Sequence, residues 1–284
     1  MKTAVVSEVL GIVIHQLDEI IQLAEAQVPA NPASPDNERL ERKYARLMAG
    51  YFKQLEQAFP YDKLAELYYK YVAVESRLSR IWRRIVEAGP ISDVNAFMDP
   101  LLRAFSNRLL TDVIGQHVAI YLAGSAQMTF WGRTKGGIPI AYEGPPIQQA
   151  ISYAQKHCAT LVTQMGEESK RLIAQTVSDG IANKRGIDGL ARDIRRQFTD
   201  MRKVRSQTIA RTESCDALQS AFVDRSKDMG VTGKEWVVTD PCPICQQNAG
   251  IVVPLDGVFP SGDSRPPAHP RCRCALAPAM IGEK

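Results

Sequence analysis

Apolar residues recur at helical spacing along most of this chain. Val5, Val9, Ile12, Val13, Leu17, Ile20 and Ile21 form one stripe over residues 3–27, with Glu8, Asp18, Glu19, Gln22 and Glu25 opposite. That pattern predicts an amphipathic helix. The stretch Val28-Pro29-Ala30-Asn31-Pro32-Ala33-Ser34-Pro35 ends it, because its prolines cannot continue a helix. Residues 36–58 and 62–88 carry two further helical patterns, parted at Phe59-Pro60-Tyr61-Asp62, with Asp62 as N-cap. Gly89-Pro90 predicts a break. Asp99-Pro100 predicts a new start, with Pro100 in the first turn and the helix ending near Gly124. Phe130 to Pro146, rich in Gly and Pro, reads as an irregular loop or short hairpin. Helical pattern resumes from Ile147 to about Asp179. In residues 187–198, Ile187, Leu190, Ala191, Ile194 and Phe198 share a face that turns Arg192 and Arg196 outward, with Arg195 on the flank. A last helix spans about Met201–Met229, closed by Gly230.

After Gly233 the texture changes. Trp236-Val237-Val238 and Ile251-Val252-Val253 are short strand candidates among Pro, Gly and Cys. The expected fold is therefore mainly α, helical in its N-terminal and central regions, with a small C-terminal α+β module stapled by zinc. The expected divisions are an N-terminal helix (1–28), a helical domain (36–129), a second helical part (147–230) and the metal-binding module (231–278). A module of about 50 residues rarely has a self-sufficient core, so a metal staple suits it.

Cysteine usage agrees. Six cysteines in 284 residues are too few for a disulfide scaffold, and four of them crowd into Cys242–Cys274. Cys242-Pro243-Ile244-Cys245 is followed, 23 residues later, by His269-Pro270-Arg271-Cys272-Arg273-Cys274. Two residues between thiolates let both bind one tetrahedral ion. The candidate ligands are Cys242, Cys245, His269, Cys272 and Cys274, five for four positions of one structural zinc per chain. Disulfides or free thiols are the bland alternative, and a catalytic zinc is the other. Pro241-Cys242-Pro243-Ile244-Cys245 matches half of the nucleobase-deaminase signature, but His15, His117 and His157 all lack the Glu at +2 that the other half needs. Neither H-E-x-x-H nor G-x-S-x-G occurs.

A hydrophobic share of 45% and a charged share of 23% exclude a low-complexity or wholly disordered chain. The net charge of +4 is mild but uneven, since Asn183–Arg211 holds nine Lys or Arg against three Asp. Lys184, Arg185, Arg192, Arg195, Arg196, Arg202, Lys203 and Arg205 are thus candidate contacts to an acidic partner, against the bland reading of a solvated helix face. No aromatic residues interleave them for base stacking, so DNA binding there would be non-specific. The N-terminal segment reads as neither signal peptide nor membrane span, because polar residues interrupt it. That leaves the cytoplasm, or an assembly built there, as the default location.

Val204, Thr208, Arg211, Cys215, Leu218 and Phe222 alternate by steps of four and three, so Arg211 falls inside a mostly apolar stripe. A buried guanidinium needs an acid. Glu213 points roughly 160° away, at ~100° per residue. Asp240 is the expected partner, making a structural clamp of Arg211 and Asp240.

The combination of Ala210-Arg211-Thr212-Glu213, Glu235-Trp236, Asp240, Cys242-x-x-Cys245, Gly250 and Pro266-Pro267-Ala268-His269-Pro270-Arg271-Cys272-Arg273-Cys274 resembles the Mu F-like family of phage minor head, or head morphogenesis, proteins, over about residues 147–278. The resemblance implies a structural, non-enzymatic virion component, made in the host cytoplasm and associated with the portal protein, with duplex DNA as a further partner. It implies no membrane association and no small-molecule substrate. Because the first cysteine pair varies in the family, it favours Cys245, His269, Cys272 and Cys274 as the tetrad, with Cys242 a doubtful fifth. The rival readings are a non-specific nucleic-acid-binding zinc protein acting outside a virion and a metal-dependent hydrolase.

Overall fold

The computed structural model describes residues 28–75, 80–134, 136–137, 144–239 and 243–282, with side chains described outside 73–88. The helix expected over residues 3–27, and with it the proposed N-terminal division, lies outside the described residues. Helices α1 (Pro35–Ala58), α2 (Leu64–Glu75), α3 (Arg80–Thr134), α4 (Ile147–Ala182), α5 (Gly186–Asp200) and α6 (Ser206–Asp228) precede a three-stranded antiparallel sheet. The mainly helical fold with a small C-terminal α+β module is as expected. Among the described residues no helix is long and apolar enough to cross a membrane.

The expected break at Gly89-Pro90 and restart at Pro100 do not occur, because α3 runs through both prolines. Each proline removes one backbone donor, a local penalty that tertiary contacts outweigh here. A Cβ on Gly89 would come within 2.5 Å of the Tyr71 ring, so glycine is what lets α2 approach. One turn later Asp93 accepts hydrogen bonds from Tyr71 Oη (2.9 Å) and Lys70 Nζ (2.6 Å). Val94 and Met98 are fully buried on the same helix. The helix also continues to Thr134, past the start of the loop expected at Phe130.

The chain forms two compact units. One comprises Leu47–Leu110 and Ala159–Ser206. Its core holds Phe52, Leu55, Phe59, Val177, Leu190, Ile194 and Phe198. The α5 face read from the sequence is thus buried at Leu190, Ile194 and Phe198, while Arg192, Arg195 and Arg196 are exposed. Gly186 adopts φ 71° and donates its N–H to Tyr68 Oη (3.2 Å), fixing the turn into α5.

The other unit comprises residues up to Arg46, Thr111–Cys158 and Gln207–Lys284. Ala210, Ser214, Ala217 and Ala221, all buried, present a small-residue face on α6. A Cβ on Gly124 would lie 3.2 Å from the Ala221 Cβ, so α3 and α6 pack nearly backbone to backbone there. The sheet is ordered β2-β1-β3, from β1 (Gly233–Val237), β2 (Val252–Pro254) and β3 (Ala275–Ala279). Trp236 pairs with Leu276 in register, and its fully buried indole packs edge-on against Phe259 (4.9 Å). Gln219 of α6 ties this sheet down: its Oε1 accepts from Leu276 N (2.9 Å), and its Nε2 donates to the Ala30 carbonyl (2.8 Å).

Candidate metal centre and the helix that holds it

Cys245 lies on a short helical turn, α7 (Pro243–Gln246), and Cys272 and Cys274 lead into β3. The three thiols are essentially inaccessible, and their sulfurs lie within 4.8 Å of one another. Cys245 Sγ is 3.8 Å from Cys272 Sγ and 3.2 Å from His269 Nε2. Sulfurs around a tetrahedral ion with Zn–S bonds of about 2.3 Å are separated by roughly 3.8 Å. His269 Nδ1 donates to the Pro270 carbonyl (2.9 Å). That bond fixes the tautomer and leaves Nε2 free to ligate, the usual outer-shell arrangement of a metal-binding imidazole. The donor set therefore fits a zinc-type ion. Of the five ligands expected from the sequence, Cys245, Cys272 and Cys274 come together, His269 approaches Cys245, and Cys242 lies outside the described residues.

No disulfide joins any two of the described cysteines. Hydrogen bonds from Cys215 and Cys274 pull the Cys272 thiol far down, while the Cys272 sulfur and burial drive Cys274 up. Cys215 on α6 is not a further ligand. The neighbouring Cys272 sulfur and full burial hold its thiol well above the ordinary range, and it donates to the Cys274 carbonyl (3.7 Å).

The Ala210-Arg211-Thr212-Glu213 run sits on α6 against this loop. Ala210 is fully buried. Thr212 Oγ1 accepts from the backbone N–H of Arg271 (3.0 Å), whose positive φ of 66° marks the tight turn between His269 and Cys272. Arg211 Nε reaches Glu41 Oε1 (3.4 Å), and Arg273 reaches the same oxygen (3.2 Å). Arg273 also pairs with Glu38 (3.3 Å) and donates to the Pro32 carbonyl (3.0 Å). The acid beside Arg211 is therefore Glu41, 170 residues distant, while the expected partner Asp240 lies outside the described residues. Arg211 keeps 26% of its side-chain surface exposed, so it borders the stripe and is not sealed inside it.

Glu213, on the other side of α6, accepts from His157 Nε2 (2.6 Å), and His117 Nε2 stands 3.3 Å from the same oxygen. Burial pushes this carboxyl up, but the two imidazoles outweigh it and hold it at about 2. Sequence reading missed this cluster. His117 and His157 share no spacing motif, and the only available signal was Glu213 itself, within the run that carries the family resemblance.

Residues 171–277 match the family model described as phage Mu protein F like protein. This segment belongs to the Mu F-like family. No curated protein and no solved structure matches the chain. The Mu F-like segment contains α5, α6, β1, β2, the first part of β3 and all five of the expected metal ligands. It also contains the whole basic run, whose members differ in placement. Lys184, Arg192, Arg195, Arg196 and Lys203 are exposed. Arg185 is exposed but forked onto Asp193 (2.8 Å), and Arg202 pairs with Glu56 (3.4 Å). Arg205 turns inward, donating to Ser169 Oγ (2.9 Å) and lying over the Phe52 ring (5.4 Å). It is a packing residue of the Mu F-like segment, and the outward cations are mostly those of α5.

Val204, read as part of the α6 stripe, is 55% exposed. Met201–Arg205 forms a π-helical turn, which inserts a residue and rotates the register by roughly 100°. Val204→Ser is accordingly expected to change the unfolding free energy by less than about 0.5 kcal/mol, measurable by denaturant titration.

Proposed function

We propose that this chain is a structural component of a phage or prophage head, acting in head morphogenesis at the portal vertex, with a structural zinc in its C-terminal module. The Mu F-like match over 171–277 carries this reading, because it covers both the A-R-T-E helix and the thiolate cluster that this helix braces. Three thiolates and one imidazole fill a tetrahedral zinc, leaving no open position for substrate. That supports a staple in preference to a hydrolase. The chain is made in the host cytoplasm and ends in the virion.

The exposed cations of α5 are the surface proposed to meet an acidic partner, either an acidic face of the portal or packaged duplex DNA. Asp188, Asp193 and Asp200 on the same helix offset part of this charge, so the proposed contact is local pairing of the arginines with phosphate or carboxylate, without sequence readout. Changing Arg192, Arg195 and Arg196 together to Glu leaves the buried Leu190, Ile194 and Phe198 face intact. Its folding cost is limited to the stacking of Arg195 on Tyr61 (4.7 Å), worth about 1 kcal/mol. The triple variant is expected to lose about 100-fold in affinity at physiological salt, with a shallower salt slope than wild type. Salt titration of binding to duplex DNA and, separately, to purified portal protein tests this. If the variant binds both as wild type does, the basic face is only solvated surface. Binding to portal but not DNA, or the reverse, identifies the partner.

A further inference from the structure

Unit by unit, the strongest unassigned chemistry lies where α3, α4 and α6 meet. We propose that His117, His157 and Glu213 form a second, separate site for a divalent transition ion of zinc type, with two imidazole nitrogens and one carboxylate oxygen as ligands. Their ligand atoms lie within 4.8 Å of one another, and each residue comes from a different helix.

The hydrogen bonding of His117 carries the argument. Its Nδ1 lies 3.0 Å from the Val113 carbonyl, one turn back on α3. A carbonyl only accepts, so Nδ1 bears the proton. In the neutral ring Nε2 is then a lone pair, and it faces Glu213 Oε2 at 3.3 Å, a second acceptor. His117 is fully buried, so an acceptor aimed at an acceptor there needs a positive charge between them, either a metal ion or the second proton of the ring. His157 Nε2 meets the same oxygen from α4 at 2.6 Å, a hydrogen-bond distance, so a bound ion would take the place of the proton these two groups share. A metal ion satisfies both nitrogens and the carboxylate together, and the Nδ1-to-carbonyl bond is how a ligating histidine is commonly oriented. The surroundings hold the geometry. The Tyr153 ring stacks on His157 (5.6 Å, 10°), and its hydroxyl donates to Asp216 (2.6 Å), which pairs with Arg265. Tyr44 closes the far side edge-on to His117 (5.4 Å). His157 keeps 35% of its side chain exposed, so the site has an entrance, and three protein ligands leave coordination open for water or a partner's group.

This site is independent of the thiolate centre, and metal analysis can separate the two. The full chain is purified without chelator as wild type, His157→Ala, Glu213→Gln and Cys274→Ser, and then loaded with Co2+. Wild type is expected to hold about two ions per chain, His157→Ala and Glu213→Gln about one, and Cys274→Ser about one. Thiolate-to-cobalt absorption in the near ultraviolet should persist in the first two variants and vanish in Cys274→Ser. Glu213→Gln, which preserves shape and can still hydrogen-bond, guards against His157→Ala merely misfolding. If both His157→Ala and Glu213→Gln hold as much cobalt as wild type, the inference is overturned and a proton alone bridges His117 to Glu213. Loss of the thiolate band from wild type, with one ion still removed by His157→Ala, would instead sink the zinc staple and leave this site standing.

Discussion

Cys274→Ser is expected to release the thiolate-bound ion and loosen the whole C-terminal sheet while the helices stay folded. The strands are short, at five, three and five residues. β2 is largely exposed, and the buried apolar side chains of the module are few: Trp236, Leu255, Phe259 and Leu276 carry most of it. The long connection from Cys245 to Cys272 is held in its middle by β2 on β1 and by Asn248 on Ser261 (2.8 Å), and the ligands would close its two ends. Structural zinc contributes roughly 10–16 kcal/mol to small peptide fingers. Here Gln219 and Thr212 also anchor the module, so a smaller loss is expected, on the order of 5 kcal/mol. The near-ultraviolet circular dichroism of Trp236 should collapse, the 246–268 connection should become protease-sensitive, and far-ultraviolet helix signal should persist. Chelation of wild type should reproduce all three. Unchanged melting and proteolysis in both experiments would show that the cysteines are merely packed.

Glu41→Ala should have the next largest effect. Glu41 is 12% exposed and is the acid shared by Arg211 and Arg273. Removing one partner of a buried ion pair costs about 3–5 kcal/mol. Arg211 retains solvent, and Arg273 keeps Glu38, so about 2–3 kcal/mol is expected here. Arg211→Ala should cost less, because Glu41 then still holds Arg273. A double-mutant cycle between Glu41→Ala and Arg211→Ala in chemical denaturation measures the pair directly, with expected coupling of about 1 kcal/mol or more. Additive effects would mean that Arg211 and Glu41 are neighbours without being partners.

The parts legible in sequence are those governed by short-range pattern. The α5 face appeared at Leu190, Ile194 and Phe198 because helical periodicity alone sorts a helix between core and solvent. The grouping of Cys245, Cys272 and Cys274 was visible because candidate metal ligands cluster along the chain. What stayed hidden depends on distant partners. α3 passes through Pro90 because Tyr71 and Asp93 support it, contacts that no local propensity encodes. Arg211 was read correctly as needing an acid, but Glu41 lies 170 residues upstream, beyond any spacing argument. His117 and His157 come from separate helices to meet Glu213, and neither has a motif around it. The π turn at Met201–Arg205 shifted Val204 out of the stripe without any glycine or proline to announce it.

Whether this chain is built into a phage head is read most directly from the protein composition of purified particles. Particles induced from the phage or prophage encoding the chain are separated on a density gradient and quantified by mass spectrometry. The chain is expected to co-sediment with full heads in a few copies, comparable to portal and far below the major capsid protein. Cys274→Ser is expected to lower that copy number. Particles that assemble normally and contain none of the chain, while it accumulates in the host cytoplasm, would show that it is not a head component.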